Sequence, residues 1–308
     1  MDSSSPTRKY GLATFLHGPP FFAVHVFAVA GVLYYGWSWS GFALAVGLYF
    51  LRMFFVAGWY HRYFSHRTFK TSRVMQFVMA VLCETTVQKG VIWWASHHRR
   101  HHKYSDLPGD VHSAKLDGLF WSHVGWILSS RYENIERSRV GDLLAYPELV
   151  WVDRLQIVPV VVFASLCFAF GGMHGLLWGF AVSTVMLWHG TFTINSLSHL
   201  FGSRRYATTD DSRNNFLLAL ITTGEGWHNN HHHYQSSVNQ GFKWWELDVT
   251  YYILRAMASV GLVWDLRRPP REVVEGTIAA AALAARAPTP DAESGPLAPP
   301  VADPGAAE

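Results

Sequence analysis

Residues 94–106 read Trp-Ala-Ser-His-His-Arg-Arg-His-His-Lys-Tyr-Ser-Asp, and this stretch decides how the rest of the chain is read. His98, His101 and His102 stand at i, i+3 and i+4, which puts three imidazoles on one face of a helix. The spacing returns at His228, His231 and His232, inside Gly224-Glu225-Gly226-Trp227-His228-Asn229-Asn230-His231-His232. A third cluster, His61-Arg62-Tyr63-Phe64-Ser65-His66, lies upstream. Neutral imidazole suits iron, copper or zinc at neutral pH. So many rings exceed what one ion can take, so the clusters point to two metals. Solvated surface histidines or a tag-like tract would form one run; a repeated helical spacing argues against both.

Composition narrows the class. The chain has 308 residues, half of them apolar, and 15% are charged, against about a quarter in soluble proteins. With a mean hydropathy of +0.08, this points to an integral membrane protein. A net charge of +3 is too small to argue for nucleic acid. Cys83 and Cys167 sit in apolar stretches without a CxxC context, which excludes thiolate metal sites.

In chain order, residues 1–18 form a polar N-terminal segment with no small-residue cleavage site, so no signal peptide is expected. Four apolar spans are expected at about 20–35, 42–60, 157–170 and 176–193. The turns at 36–41 and 171–175 carry no lysine or arginine, while the N-terminus, the middle segment and the residues after Ser196 are rich in both. The positive-inside rule then places both termini and all three histidine clusters in the cytoplasm. Arg52, inside the second span, reads as a snorkelling arginine or the partner of a buried acid. The cytosolic cap is expected from 61–149 and 196–268, with residues 72–94 and 116–128 as interfacial helices. Residues 131–139 read as a charged, exposed loop, and 271–308 as an Ala/Pro-rich disordered tail with a short helix near its start. The expected fold is therefore an all-α integral membrane protein with four transmembrane helices and a helical cap enclosing a histidine-rich site.

Two further spacings carry geometry. Asn195 and His199 are i, i+4 at the end of the last span and share a face. His61 and His66 are i, i+5, about 140° apart on a regular α-helix. They cannot point the same way unless the helix ends there or each serves a different metal.

Taken together, His-Arg-Tyr-Phe-Ser-His, His-Arg-Arg-His-His-Lys-Tyr-Ser-Asp, Ser122-His-Val-Gly-Trp126, Asn195-Ser-Leu-Ser-His199 and Gly-Glu-Gly-Trp-His-Asn-Asn-His-His resemble the membrane-bound stearoyl-CoA (acyl-CoA Δ9) desaturases, the bacterial branch most closely. The resemblance runs from residue 58 to residue 245 and joins specific motifs in a fixed order. It implies a four-span mushroom fold with a cytosolic cap, in the bacterial inner membrane, around a non-haem di-iron centre that uses O2. The matching ligands are His61, His66, His98, His101, His102, His199, His228, His231 and His232, with Asn195 holding a water on one iron. No catalytic residue beyond the metal ligands is implied. The domain so defined is 19–270. Two electrons would come from a separate ferredoxin, cytochrome b5 or rubredoxin type of protein.

Carboxylates should orient the ligand rings, and Asp106, Asp110 and Glu225 are the candidates. Trp94 and Gln88 match family positions near the acyl tunnel. The family's arginine two residues before the central cluster is Ser96 here, and a later basic pair is reduced to Ser130-Arg131. Arg131 is the remaining candidate headgroup contact, and acyl-lipid or acyl-carrier-protein substrates stay open beside acyl-CoA. His97 and His233 flank ligands off their faces and read as supporting residues; His17, His25, His112, His123, His174 and His189 read as structural. The expected reaction is insertion of a cis double bond, at Δ9, into a saturated acyl chain. A related di-iron hydroxylase or alkane monooxygenase is the second reading. A non-catalytic membrane protein holding zinc or moving metal is the third.

Overall fold

The computed structural model describes residues 18–276. Regular structure there is almost wholly helical; the one sheet among the described residues is a ribbon pairing Lys70–Thr71 with Val263–Trp264. The N-terminal segment and most of the tail lie outside the described residues, apart from a short helix, Arg271–Glu275.

Proline and glycine bracket the first apolar helix, Pro19–Tyr35: Pro19 opens it where a missing N–H costs nothing, and Gly36 closes it at φ 79°. Ser38 then caps the next helix by accepting from the Gly41 N–H at 3.1 Å. Two helical runs are long and apolar enough to cross a membrane, Trp39–Ser65 and Ile157–His199; Pro19–Tyr35 is apolar but shorter. The second run is folded on itself. Gly172 (φ 55°, ψ −147°) breaks it, and beyond the break a Cβ on Gly175 would lie 2.1 Å from the Cys167 carbonyl oxygen. Ile157–His174 and the helix from Gly175 therefore form a tight antiparallel hairpin, with its bend where the sequence places a turn. The outer arm exposes Val161, Leu166, Phe168 and Phe170.

Arg52 is neither snorkelling nor paired with an acid. It is buried, donating to Thr184 Oγ1 at 2.9 Å, Ser183 Oγ at 2.6 Å and the Thr85 carbonyl at 3.2 Å, under the Phe163 ring. Three neutral acceptors from two segments satisfy the guanidinium and tie the second helix to the last.

Towards the histidine clusters the second helix changes geometry. Trp39–Phe54 is α-helical, but Phe55–Ser65 is a π-helix, and all eleven of its residues are buried. The stretch 72–94 is not one interfacial helix. Arg73–Glu84 and Val91–Tyr104 are separate helices, divided by a turn in which Val87 and Lys89 take left-handed backbone conformations. Asp153 starts the second of them by accepting from the N–H groups of Ile92 (2.8 Å) and Trp93 (3.2 Å). Gly90 permits that approach, since a Cβ there would meet Asp153 Oδ1 at 2.0 Å. Residues 116–128 likewise break into short turns, with Trp121 and Trp126 buried and Phe120 exposed. In the 131–139 loop Tyr132 is buried and Arg139 pairs with Glu136.

Candidate metal centre

Four chain segments meet below the apolar helices, each presenting histidines. The π-helix settles the first pair. Its i→i+5 bonding continues to the His66 N–H, which donates to the His61 carbonyl at 3.2 Å. Residues five apart then lie one above the other, and the two rings sit 4.9 Å apart. The 140° separation of a regular α-helix does not apply, and both rings face one point.

The ligand-type nitrogens form two groups, each within 4.8 Å. His61, His66, His98, His102 and His231 make the first; His101, His199, His228 and His232 make the second. The i, i+3, i+4 spacing explains the split. His98 and His102 go one way and His101 the other, while His231 and His228/His232 divide likewise across from them.

The hydrogen bonding shows what these groups can hold. His101 Nδ1 donates to Asp110 at 2.8 Å, His199 Nδ1 to Asp106 at 2.8 Å, and His232 Nδ1 to Asp210 at 2.6 Å. His61 Nδ1 is paired with Glu225, with the Gln240 amide beside it. A carboxylate only accepts, so each of these Nδ1 atoms carries the proton and each Nε2 presents a lone pair. Those lone pairs converge: His61 and His231 Nε2 lie 3.0 Å apart, His199 and His228 Nε2 3.1 Å apart. The Nε2 atoms of His101 and His232 are buried with no hydrogen-bond partner. Opposed and orphaned imidazole lone pairs, backed by carboxylates on the far nitrogen, fit two divalent or trivalent cations.

For six of the nine rings the electrostatics agree. Burial first, then neighbouring imidazoles, hold His66, His98, His102, His228 and His231 well below the usual imidazole range, so they are neutral at pH 7. His232 lies at about 4, burial outweighing the pull of Asp210. Burial pushes Asp106, Asp110 and Asp210 upward, but their close pairing and hydrogen bonds with the histidines win and hold all three well below the usual carboxylate range.

A buried frame carries the rings. Arg62 donates to Glu225 at 2.8 Å and to both Asp248 oxygens at 2.9 Å, and so fixes the acid that holds His61. The helix His228–His233 is only six residues long, too short to persist alone. Asn214 Oδ1 secures it by accepting from the N–H groups of Asn229 (3.0 Å) and Asn230 (3.1 Å). Gly226 sits where a Cβ would be 2.1 Å from the Ala219 nitrogen and 2.5 Å from the Asn215 oxygen. Gly226→Ala is therefore expected to lose about 1–3 kcal/mol and to release metal, measured as a lower unfolding midpoint together with lower metal content.

The remaining candidates divide. Asn195 and Trp94 border the cavity beside both groups, which Met53, Val56, Ala57 and Ile194 also line. Trp94 stacks on His98 at 4.8 Å. Gln88 donates to Thr191 Oγ1 at 2.9 Å, and both border an adjoining cavity. Arg131 is on the surface over the Tyr132 ring and lines neither cavity. His97 is tied to the Trp93 carbonyl and His233 stacks on Tyr206. His25, His189 and His123 form a hydrogen-bonded chain of 3.0 Å links. Sequence reasoning missed Asp210, Arg62, Gln240 and His112. Asp210 lies in Thr-Thr-Asp-Asp-Ser, with no spacing to distinguish it from Asp211. His112, treated as structural, lines the cavity and stacks on His101 at 4.2 Å. Asp210→Asn should lower metal affinity about 10–100-fold, read by chelator competition.

A helical scaffold that buries two imidazole groups beneath apolar helices defines a class of histidine-rich metalloprotein built next to an apolar cavity. Within that class the chain belongs to the fatty acid desaturase family, whose description matches residues 36–266. It is 35% identical over 267 residues to a hex-5-enoyl-[acyl-carrier protein] acetylenase of Moorena producens, covering 80% of this chain and 83% of that one. It is 36% identical over 236 residues to an acyl-CoA 5-desaturase of Anemone leveillei (75% and 73% covered). It is 33% identical over 263 residues to an sn-2 palmitoyl-lipid 9-desaturase of Nostoc (83% and 92% covered). The chain is a fatty acyl desaturase, an oxidoreductase of lipid metabolism.

Proposed function

We propose that this enzyme crosses the bacterial inner membrane four times, with both termini and the histidine site in the cytoplasm. There it removes two vicinal hydrogens from a saturated acyl chain, at Δ9, and leaves a cis double bond. One O2, two electrons and two protons are consumed with the two substrate hydrogens, and two waters leave. The observation that carries the reading is the convergence of two carboxylate-backed imidazole groups on one apolar-walled cavity. The five-histidine group would hold one iron, and the four-histidine group, with a water on Asn195, the other. When bound, the iron pair with O2 supplies the oxidant that an unactivated methylene requires and side chains lack.

The residues do the rest. Glu225, Asp110, Asp106 and Asp210 keep the proton on Nδ1 and the lone pair on Nε2. Trp94 holds His98 by stacking, and Gln88 fixes the hydroxyl of Thr191 at the cavity wall. Met53, Val56, Ala57 and Ile194 exclude water and lay an acyl chain beside the metals. The acyl chain would be carried on CoA, lipid or carrier protein. Ser96 accepts from the Glu136 N–H at 2.9 Å, and Arg131 stands away from both cavities, so neither supplies the basic headgroup contact that the resemblance places there. The test is metal analysis of the purified full chain followed by turnover of stearoyl-CoA, stearoyl-carrier protein and distearoyl phosphatidylcholine side by side. Two irons per chain and a monoene from one of the three support the proposal. Zinc in place of iron, with no product from any of them, overturns it.

A further inference from the structure

On that reading, two electrons per turnover arrive from a separate protein, and among the described residues one edge of the histidine site suits their entry. Of the nine histidines, six are buried and His66, His98 and His102 are half-buried. His98 lines the cavity, so its open edge faces inward. His66 and His102 line neither of these cavities and are partly exposed, so they form the outer edge of the five-histidine group among the described residues. That edge is rimmed by cations. Arg67 follows His66, and Arg99, Arg100 and Lys103 surround His102 in sequence.

One network binds them. Arg67 and Arg99 share Asp142 at 2.9 and 2.6 Å, Arg100 and Arg139 share Glu136, and Arg99 donates to the carbonyls of Phe64 and Ser65 at 2.8 Å, directly before His66. Lys103 and Arg139 lie over the Tyr104 ring at 5.5 and 5.6 Å. Five cations thus face two carboxylates, and Lys103 has no carboxylate partner among the described residues. Arg99 and Arg100 are also pinned by backbone carbonyls, so the middle of the rim is held in place before anything binds.

We propose that this rim, over His66 and His102, is the docking surface for a small, negatively charged one-electron carrier. A fixed positive field over the outermost ligands attracts and orients an acidic partner and suppresses basic ones. Each reduced carrier gives one electron to the metal pair and leaves oxidised by one; two dock in turn for each O2 consumed. The modest net charge suits a transient, salt-sensitive encounter rather than a permanent complex.

The test uses the full chain in phosphatidylcholine nanodiscs and a plant-type [2Fe–2S] ferredoxin as the acidic probe, with Kd measured against salt. Lys103→Glu should raise Kd about tenfold at low salt, with the difference vanishing near 0.5 M, while Lys103→Arg binds like wild type. Iron content and unfolding midpoint confirm that the variants are folded. Equal Kd for wild type and Lys103→Glu overturns the proposal, as does an effect that needs anionic lipid in the disc. Failure of the wild type to bind ferredoxin, when a chemical reductant still drives product formation, overturns the docking surface and leaves the desaturase reading standing.

Discussion

His231→Ala is expected to lower desaturation to below about a hundredth of wild type and to remove one metal ion from each chain. His231 is where the first group is tightest. Its Nε2 lies 3.0 Å from that of His61 and 2.9 Å from that of His102, and its ring is 4.6 Å from His66. Changes one layer out, at the orienting carboxylates, already cost about 10–100-fold, so losing the ring itself costs at least that. His189→Ala is the contrast. His189 is bonded to His25 and His123 and belongs to neither group, so that variant should keep both ions. Metal analysis alongside product formation separates the two; an unchanged metal count in His231→Ala would remove the residue from the site.

The second large effect is on folding. Arg62→Ala should destabilise the protein by about 3–5 kcal/mol. Arg62 is buried and serves Glu225, Asp248 and the Val238 carbonyl at once. Removing it strands two buried carboxylates and frees the acid that orients His61. Arg62→Lys should recover only part of the loss, because an ammonium cannot span both acids as the planar fork does. Arg62→Ala with Asp248→Asn should lose less than Arg62→Ala alone, since one stranded charge is gone. Denaturation midpoints of the three proteins check the order, and wild-type stability in Arg62→Ala would contradict the frame.

What could be read from the sequence follows from period and hydropathy. The i, i+3, i+4 histidines are bound to share helix faces, and the apolar runs became helices where expected, with the hairpin bend at Gly172 inside the predicted turn. Asp106, Asp110 and Glu225 lie close to the clustered histidines in the chain, and each contacts a ring of the two histidine groups. The misses are of another kind. No composition marks Phe55–Ser65 as π-helical, so the convergence of His61 and His66 was hidden. The turn between 84 and 91 depends on left-handed Val87 and Lys89, residues that ordinarily avoid that region. Asp210 reaches His232 across a separation of 22 residues that includes the helix Phe216–Ile221, and Arg52 finds hydroxyls on a helix more than 130 residues away. Long-range partners are set by packing, and a local pattern does not carry them.

The central claim, that these histidines hold a metal pair that desaturates acyl chains, is tested most directly in membranes. The gene is expressed in a host without an aerobic desaturase of its own, and the total fatty acids are analysed by mass spectrometry after derivatisation to locate double bonds, beside a His98→Ala control. A new cis monoene with its double bond at Δ9, dependent on O2 and absent from the control, is the predicted result. An unchanged fatty acid profile from folded, iron-loaded protein with a competent electron donor, or a hydroxylated product in place of the alkene, would contradict it.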